Sequence, residues 1–231
     1  MADGGDGTDD RGIPGPIESL AGEPADVARG AAERLVFFSD AVVAIAITLL
    51  AIELPVPEGD STASLLDSLG ANSIAYLTFL ISFLVIGAHW RSHHQVFRYL
   101  RRVDGTFVHL SFAWLLVIIA TPFLTEVIRE GELNVARFGL YALAQALLLI
   151  FFGLMQLIAA RRGLFVPGFP PELAGRSWPF RHQYLGIVGF LGSIPLYPVL
   201  GAWAFALWAL IPNLPQLVGA VRRRRPSSAA A

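Results

Sequence analysis

Between Leu35 and Leu54 the chain carries only two charged residues, Asp40 and Glu53, and Pro55 and Pro57 follow directly. A helix needs about 20 mainly apolar residues to cross a hydrocarbon core about 30 Å thick. Proline disfavours helix at the residue before it. The segment therefore predicts a membrane-spanning helix that stops at Leu54. Further apolar runs cover Ser73 to Trp90, Phe107 to Ile128 and Phe138 to Ala160. A last stretch, Tyr184 to Ala220, is too long for one span, and it divides near Pro198 to Gly201 into a fifth and a sixth. Composition agrees: 55% of the chain is hydrophobic and 15% charged, where a soluble domain carries about 25% charge.

Loop charge tests the count independently. Arg91, Arg98, Arg101 and Arg102 follow the second span. Arg161, Arg162, Arg176 and Arg181 follow the fourth, and Arg222 to Arg225 follow the sixth. The loop after the first span holds Glu58, Asp60 and Asp67 with no base. The loop after the third sets Arg129 among Glu126, Glu130 and Glu132, with Arg137 at the next helix. Basic residues thus occupy alternate loops, which the positive-inside rule assigns to the cytoplasm. The expected fold is an all-α membrane protein of six transmembrane helices with both termini cytoplasmic. A five-span chain would put the four terminal arginines outside.

The expected organisation has three parts. Residues 1–30 form an acidic extension with no aromatic residue, a composition that cannot bury enough apolar surface to fold. It also lacks the basic start and apolar core of a signal peptide. Residues 31–220 form the transmembrane domain, and 221–231 a basic cytoplasmic tail. A Pro-rich loop, 163–182, carries Phe165, Phe169, Trp178 and Phe180, which suits the cytoplasmic membrane interface.

Several chemistries are excluded. There is no cysteine, so there is no disulfide, thiolate zinc site or catalytic thiol. A net charge of −1 argues against nucleic acid as a partner. No phosphate loop, nucleophile elbow or carbonyl filter sequence appears. The His-x3-His-His spacing of His89, His93 and His94 occurs in membrane di-iron oxidases, but only His109 and His182 remain. Iron at such sites needs more imidazoles. No cofactor or enzymatic activity is expected.

The first helix is the informative one. Asp40 is the only carboxylate deep in the early part of a span, and an intramembrane carboxylate marks function or a buried polar bond. At about 100° per residue, Phe38, Ala41, Ile45, Thr48, Leu49 and Ile52 share a face. Asp40 lies about 140° from Ile45, and Ser39 about 120° away on the other side. If the Ile45 face lines a pathway, Asp40 points into the protein and needs a donor there. Ordinary helix packing would produce the same stripe. Candidate donors sit at the end of the second helix, in His89-Trp90-Arg91-Ser92-His93-His94. His89 and His93, four apart, share a helix face. By the charge argument this end is cytoplasmic, like the start of the first helix. A bridge from Ser39 or Asp40 to His89, His93, His94 or the Trp90 indole is feasible. An interfacial cluster binding lipid phosphate is the competing assignment.

Arg34-x-x-x-Phe38-Ser39-Asp40 at the start of a first helix resembles the signature of the endosomal and lysosomal potassium channel family and its prokaryotic relatives. The continuation through Ala41, Val42, Ile45, Thr48, Leu49, Leu50 and Glu53 is similar to that family. So are the His/Trp-bearing end of the second helix and Thr121-Pro122-Phe123 in the third. The resemblance implies homotetramers of six-helix subunits, with four copies of the first helix around a pore and no filter loop. It implies that Ile45, Leu49 and Ile52 form hydrophobic constriction layers with Thr48 as a polar ring between them. Arg34, Phe38, Ser39, Asp40, His89, Trp90 and His93 would form a structural network that does not touch the ion.

The expected function is a potassium-permeable channel in the plasma membrane of a prokaryote, a multi-pass protein with potassium ions and membrane lipid as its partners. Two alternatives stand beside it: a small proton-coupled transporter using Asp40 with His89 and His93, and a membrane scaffold or lipid-binding protein.

Overall fold

The computed structural model describes residues 25–130, 132, 134–170, 181–205 and 207–208. Most of the acidic extension, residues 171–180 of the Pro-rich loop, most of the sixth span and the basic tail lie outside the described residues. The chain runs through α1 (Ala25–Ile52), α2 (Thr62–Ala71), α3 (Ser73–Phe97), α4 (Gly105–Arg129), α5 (Val135–Arg161) and α6 (Arg181–Leu200), then a 3-10 turn at Gly201–Trp203. Five of these helices, all but α2, are long and apolar enough to cross a membrane.

The spanning helices outrun their apolar cores. α1 begins at Ala25, ahead of Leu35 and inside the segment expected to be unstructured, and α3 continues seven residues past Trp90 to Phe97. A hydropathy reading finds only the lipid-filling part of a helix, whereas the helix itself ends where its caps lie. Asp104 caps α4 by accepting the Phe107 amide at 2.8 Å. Asn134 caps α5 by accepting the Ala136 and Arg137 amides at 3.0 and 3.1 Å. α2, which apolar length alone does not announce, is set by a reciprocal cap: Ser61 Oγ accepts the Ser64 amide and Ser64 Oγ accepts the Ser61 amide.

α5 is the centre of the bundle. It packs between α4 and α6, while α1 lies against α3 and α4. The main core joins Val43, Ala46 and Leu50 of α1, Ile86 and Phe97 of α3, Trp114 and Ile118 of α4, and Leu148, Phe152 and Met155 of α5. On the other side of α5, small residues allow close approach. Ala142 and Ala146 meet Phe190 of α6, and Gly139 lies beneath Ile194. Side-chain hydrogen bonds lace this apolar interior. Thr125 Oγ1 donates to Ser82 Oγ at 2.9 Å, and Ser82 lies 3.4 Å from the Tyr141 hydroxyl.

The apolar stretch after Tyr184 breaks at Gly201, which has φ +52°, a conformation glycine adopts without strain. The chain then reverses. Trp208 Nε1 donates to Ser193 Oγ at 2.8 Å, and its indole stacks on Phe138 and Tyr141 of α5. Fifteen residues of uninterrupted helix would hold residues 193 and 208 roughly 22 Å apart.

The two ends of the bundle are built differently. At one end, the α3–α4 and α5–α6 connections pair through backbone. The Arg101 amide donates to Leu164 at 2.8 Å, and the Val166 amide to Tyr99 at 3.0 Å. Arg162 donates to Asp104 at 2.8 Å beside this clip. Burial alone would raise the Asp104 carboxyl, but the Phe107 amide and the Arg162 guanidinium prevail and hold it below the ordinary carboxylate range. At the other end, the Tyr76 hydroxyl donates to the Pro55 carbonyl at 2.9 Å. There Arg129 grips both Glu126 oxygens, and a small cavity joins that pair to Glu53.

Candidate functional site

α1 divides into two faces. Ser39, Val43, Ala46 and Leu50 are buried against the bundle. Phe38, Ala41, Ile45, Thr48, Leu49 and Ile52 are exposed, with Ile45 at 59% and Ile52 at 76%. Thr48 Oγ1 donates to the Ile45 carbonyl at 2.8 Å, so the oxygen keeps acceptor lone pairs to offer on that face.

The exposed face extends further than the six residues grouped by helical angle. Val27, Ala31, Arg34, Phe38, Ala41, Ile45, Thr48 and Ile52 recur at alternating spacings of four and three, and all eight are exposed. That is a heptad seam, the spacing at which helices pack lengthwise along one another. The signal was present in the sequence, but a search bounded at Leu35 by hydropathy misses its first three members.

Asp40 turns the other way, into the protein. Its Oδ1 accepts the Trp90 indole N–H at 2.9 Å, and its Oδ2 lies 3.5 Å from His94 Nδ1. Trp90 and His94 pack on each other with ring centroids 5.5 Å apart. The start of α1 and the end of α3 therefore lie at one height. His89 and His93 go elsewhere. His89 Nε2 lies 3.1 Å from Gln145 Oε1 on α5. His93 is buried, stacked on Trp114 of α4 at 4.6 Å and edge-on to Phe97. Among the described residues, the histidines thus tie α3 to three different helices and give Asp40 no continuous relay through His89 or His93. Ser39, also buried, donates to the Leu35 carbonyl of its own helix at 2.8 Å. Phe38 meets Phe112 of α4. Arg34 stands apart from the network. It is exposed, lies along an open apolar groove with Leu35, Phe38, Val103, Val108 and Phe112, and has no hydrogen bond or ion pair among the described residues.

Thr121 and Pro122 are buried in α4. Thr121 Oγ1 donates to the Val117 carbonyl and its own carbonyl accepts from Thr125 Oγ1. Both hydroxyls thus satisfy themselves on carbonyls of their own helix, beside the proline. Nothing in this arrangement resembles a reaction centre. No cluster of metal-binding side chains occurs among the described residues.

A family model described as the endosomal/lysosomal potassium channel TMEM175 matches residues 34–122, from Arg34 to Pro122. A potassium channel of Streptomyces collinus is 38% identical over 139 residues, covering 58% of this chain and 68% of that protein. A potassium channel of Chryseobacterium is 28% identical over 185 residues, covering 79% of this chain and 92% of that protein. The crystal structure of a lysosomal potassium-selective channel TMEM175 homologue from Chamaesiphon minutus superposes with a TM-score of 0.60 at 25% identity. It covers 85% of this chain and the whole of that one.

Proposed function

This chain belongs to the endosomal/lysosomal potassium channel family TMEM175, and from that premise we propose how it conducts potassium. The functional unit is a homotetramer of six-span subunits in a prokaryotic plasma membrane, with both termini in the cytoplasm. Four copies of α1 surround the pore. Ile45, Leu49 and Ile52 supply apolar constriction rings, and Thr48 the nearest polar one. The observation that carries this reading is the exposed heptad seam of α1. Its buried opposite face anchors it to its own bundle, so the seam is left for identical helices.

The proposed topology rests on two supports. The Arg-bearing loops after α3 and α5 are clipped together at one end of the bundle, so a single rule of charge asymmetry places both. The chain reversal at Gly201 supports a sixth span beside α6 that returns the C-terminus to that side.

A ring of four aliphatic side chains offers no oxygen to replace an ion's hydration shell, so it bars ions by closure and dewetting. Conduction requires the rings to widen enough for a hydrated ion. Asp40, bonded to Trp90 and facing inward, sets the pitch of α1 instead of touching the ion. The test is planar-bilayer recording of purified protein in asymmetric KCl and NaCl. Ile45→Asn wets the narrowest ring, so unitary current rises and discrimination against sodium falls. Thr48→Ala weakens selectivity with a smaller change in current. Unchanged reversal potential and current in both variants would falsify the assignment of the pore to this face.

A further inference from the structure

Resting on the pore reading above, we propose that Arg34 forms a ring of fixed positive charge at the cytoplasmic mouth of the channel. This ring depletes potassium there and suppresses outward relative to inward current.

The argument begins with the seam. Arg34 is its only charged member, seven and eleven residues before Ala41 and Ile45. Its angular offset from Ile45 is only about 20°, so any axis that Ile45 faces, Arg34 faces too. The other charges at this end of α1, Asp26, Arg29 and Glu33, fall at seam-flanking or opposite positions, about 100° to 160° from Ile45. Arg34 also differs in kind from its neighbours in sequence. Ser39 and Asp40 find their bonds inside the subunit, whereas Arg34 has no acceptor among the described residues. Arg34 lines the open groove between α1 and the start of α4, and a long arginine stem can lie along apolar surface while its guanidinium stays in water.

Four unpaired guanidinium groups cannot close into a dry seam, because burying like charges together is prohibitive. The helices must therefore part at Arg34 and admit water. A hydrophobic seam from Phe38 to Ile52 that opens at Arg34 is a constriction with a vestibule. The vestibule lies roughly 16 Å from Ile45 along the helix, on the side of the Arg-rich loops. A water-filled mouth ringed by one sign of charge excludes ions of that sign. Potassium leaving the cytoplasm meets this field before the constriction, and potassium entering meets it only after. The field reaches about 30 Å at 0.01 M salt and about 3 Å at 1 M, so the asymmetry belongs to low ionic strength.

The unmodified channel supplies the first measurement. In symmetric 0.01 M KCl, inward unitary current should exceed outward by roughly twofold to tenfold, and the two should converge in 1 M KCl. Arg34→Gln should abolish the asymmetry at low salt, while Arg34→Lys keeps it. Because the chain has no native cysteine, Arg34→Cys can be recharged after assembly. A cytoplasmic trimethylammonium thiol reagent should restore the asymmetry, and a sulfonate reagent should reverse it. Asymmetry that ignores these charges, or an Arg34→Cys channel whose thiol reacts only from the outside, overturns the proposal. A current that responds to Ile45→Asn but not to charge at position 34 removes Arg34 from the mouth and leaves the pore in place. A current indifferent to both removes the pore from α1.

Discussion

α1 and α5 are both strongly apolar, yet 22% of the central part of α1 is buried against 56% of that of α5. α5 spends its polar residues inward, with Tyr141, Gln145 and Gln156 all buried. α1 buries one strip and presents a heptad seam outward. In a membrane, apolar surface does not by itself drive helices together, because lipid is as apolar as leucine. Equal hydropathy therefore says nothing about what a face meets. Small residues, hydrogen bonds and the spacing of the outward stripe carry that information.

This contrast can be broken from either side. The largest effect on folding is expected at α5. Phe138 is fully buried and stacked on Tyr197 and Trp208. Phe138→Ala should cost about 3–5 kcal/mol, read as a lowered unfolding midpoint in detergent. The equivalent truncation on the seam, Ile45→Ala, should leave subunit folding nearly unchanged while altering current. If Ile45→Ala unfolds the protein as Phe138→Ala does, the seam is ordinary packing.

Asp40→Asn comes next. It keeps an acceptor for the Trp90 indole but loses the charge beside His94, and a charge-assisted bond is worth about 1.5–3 kcal/mol. Oligomer stability should fall, measured by size-exclusion chromatography after heating, while the reversal potential of surviving channels stays put. Altered selectivity in well-assembled Asp40→Asn channels would instead place the carboxylate in the ion path. Smaller again is Asp104→Asn at the clip between the two Arg-bearing loops. Asparagine caps a helix about as well as aspartate, so what is lost is the ion pair with half-exposed Arg162, worth about 0.2–1 kcal/mol because solvent screens it. Because the folded-state carboxyl is depressed, this stability is present above the usual carboxylate range and lost as pH falls through the folded value. The difference between Asp104→Asn and the unmodified protein in thermal shift should thus begin to shrink as pH falls below about 4 and vanish only below the depressed folded-state value. The least change is expected for Ser82→Ala, since hydrogen bonds between membrane helices average about 0.6 kcal/mol. Its readout is the unfolding midpoint.

Much of this was legible in the sequence for stated reasons. Apolar run length located five of the six expected spans among the described residues, because hydrocarbon thickness sets it. Angular arithmetic on α1 separated Ile45 from Asp40, because the helix is regular. What run length could not register was α2, whose ten residues depend on the Ser61–Ser64 cap, and the first turns of α1, which lie outside the lipid-filling segment. Nor could sequence order say that His89 and His93, on one face of one helix, reach α5 and α4 respectively. That depends on which neighbours stand there. Adjacency in sequence groups Arg34 with Ser39 and Asp40, and only the three-dimensional arrangement shows it without their partners.

Ile45 on α1 and Leu77 on α3 have nearly the same exposure in the single subunit, 59% and 58%, and the central claim assigns them opposite surroundings. The direct measurement uses the absence of native cysteine. Ile45→Cys and Leu77→Cys channels are treated with a water-soluble thiol reagent during recording. The account predicts that Ile45→Cys current is blocked rapidly and more slowly when potassium occupies the pore, while Leu77→Cys current is untouched because its side chain faces lipid. An Ile45→Cys channel that conducts and ignores the reagent would contradict it.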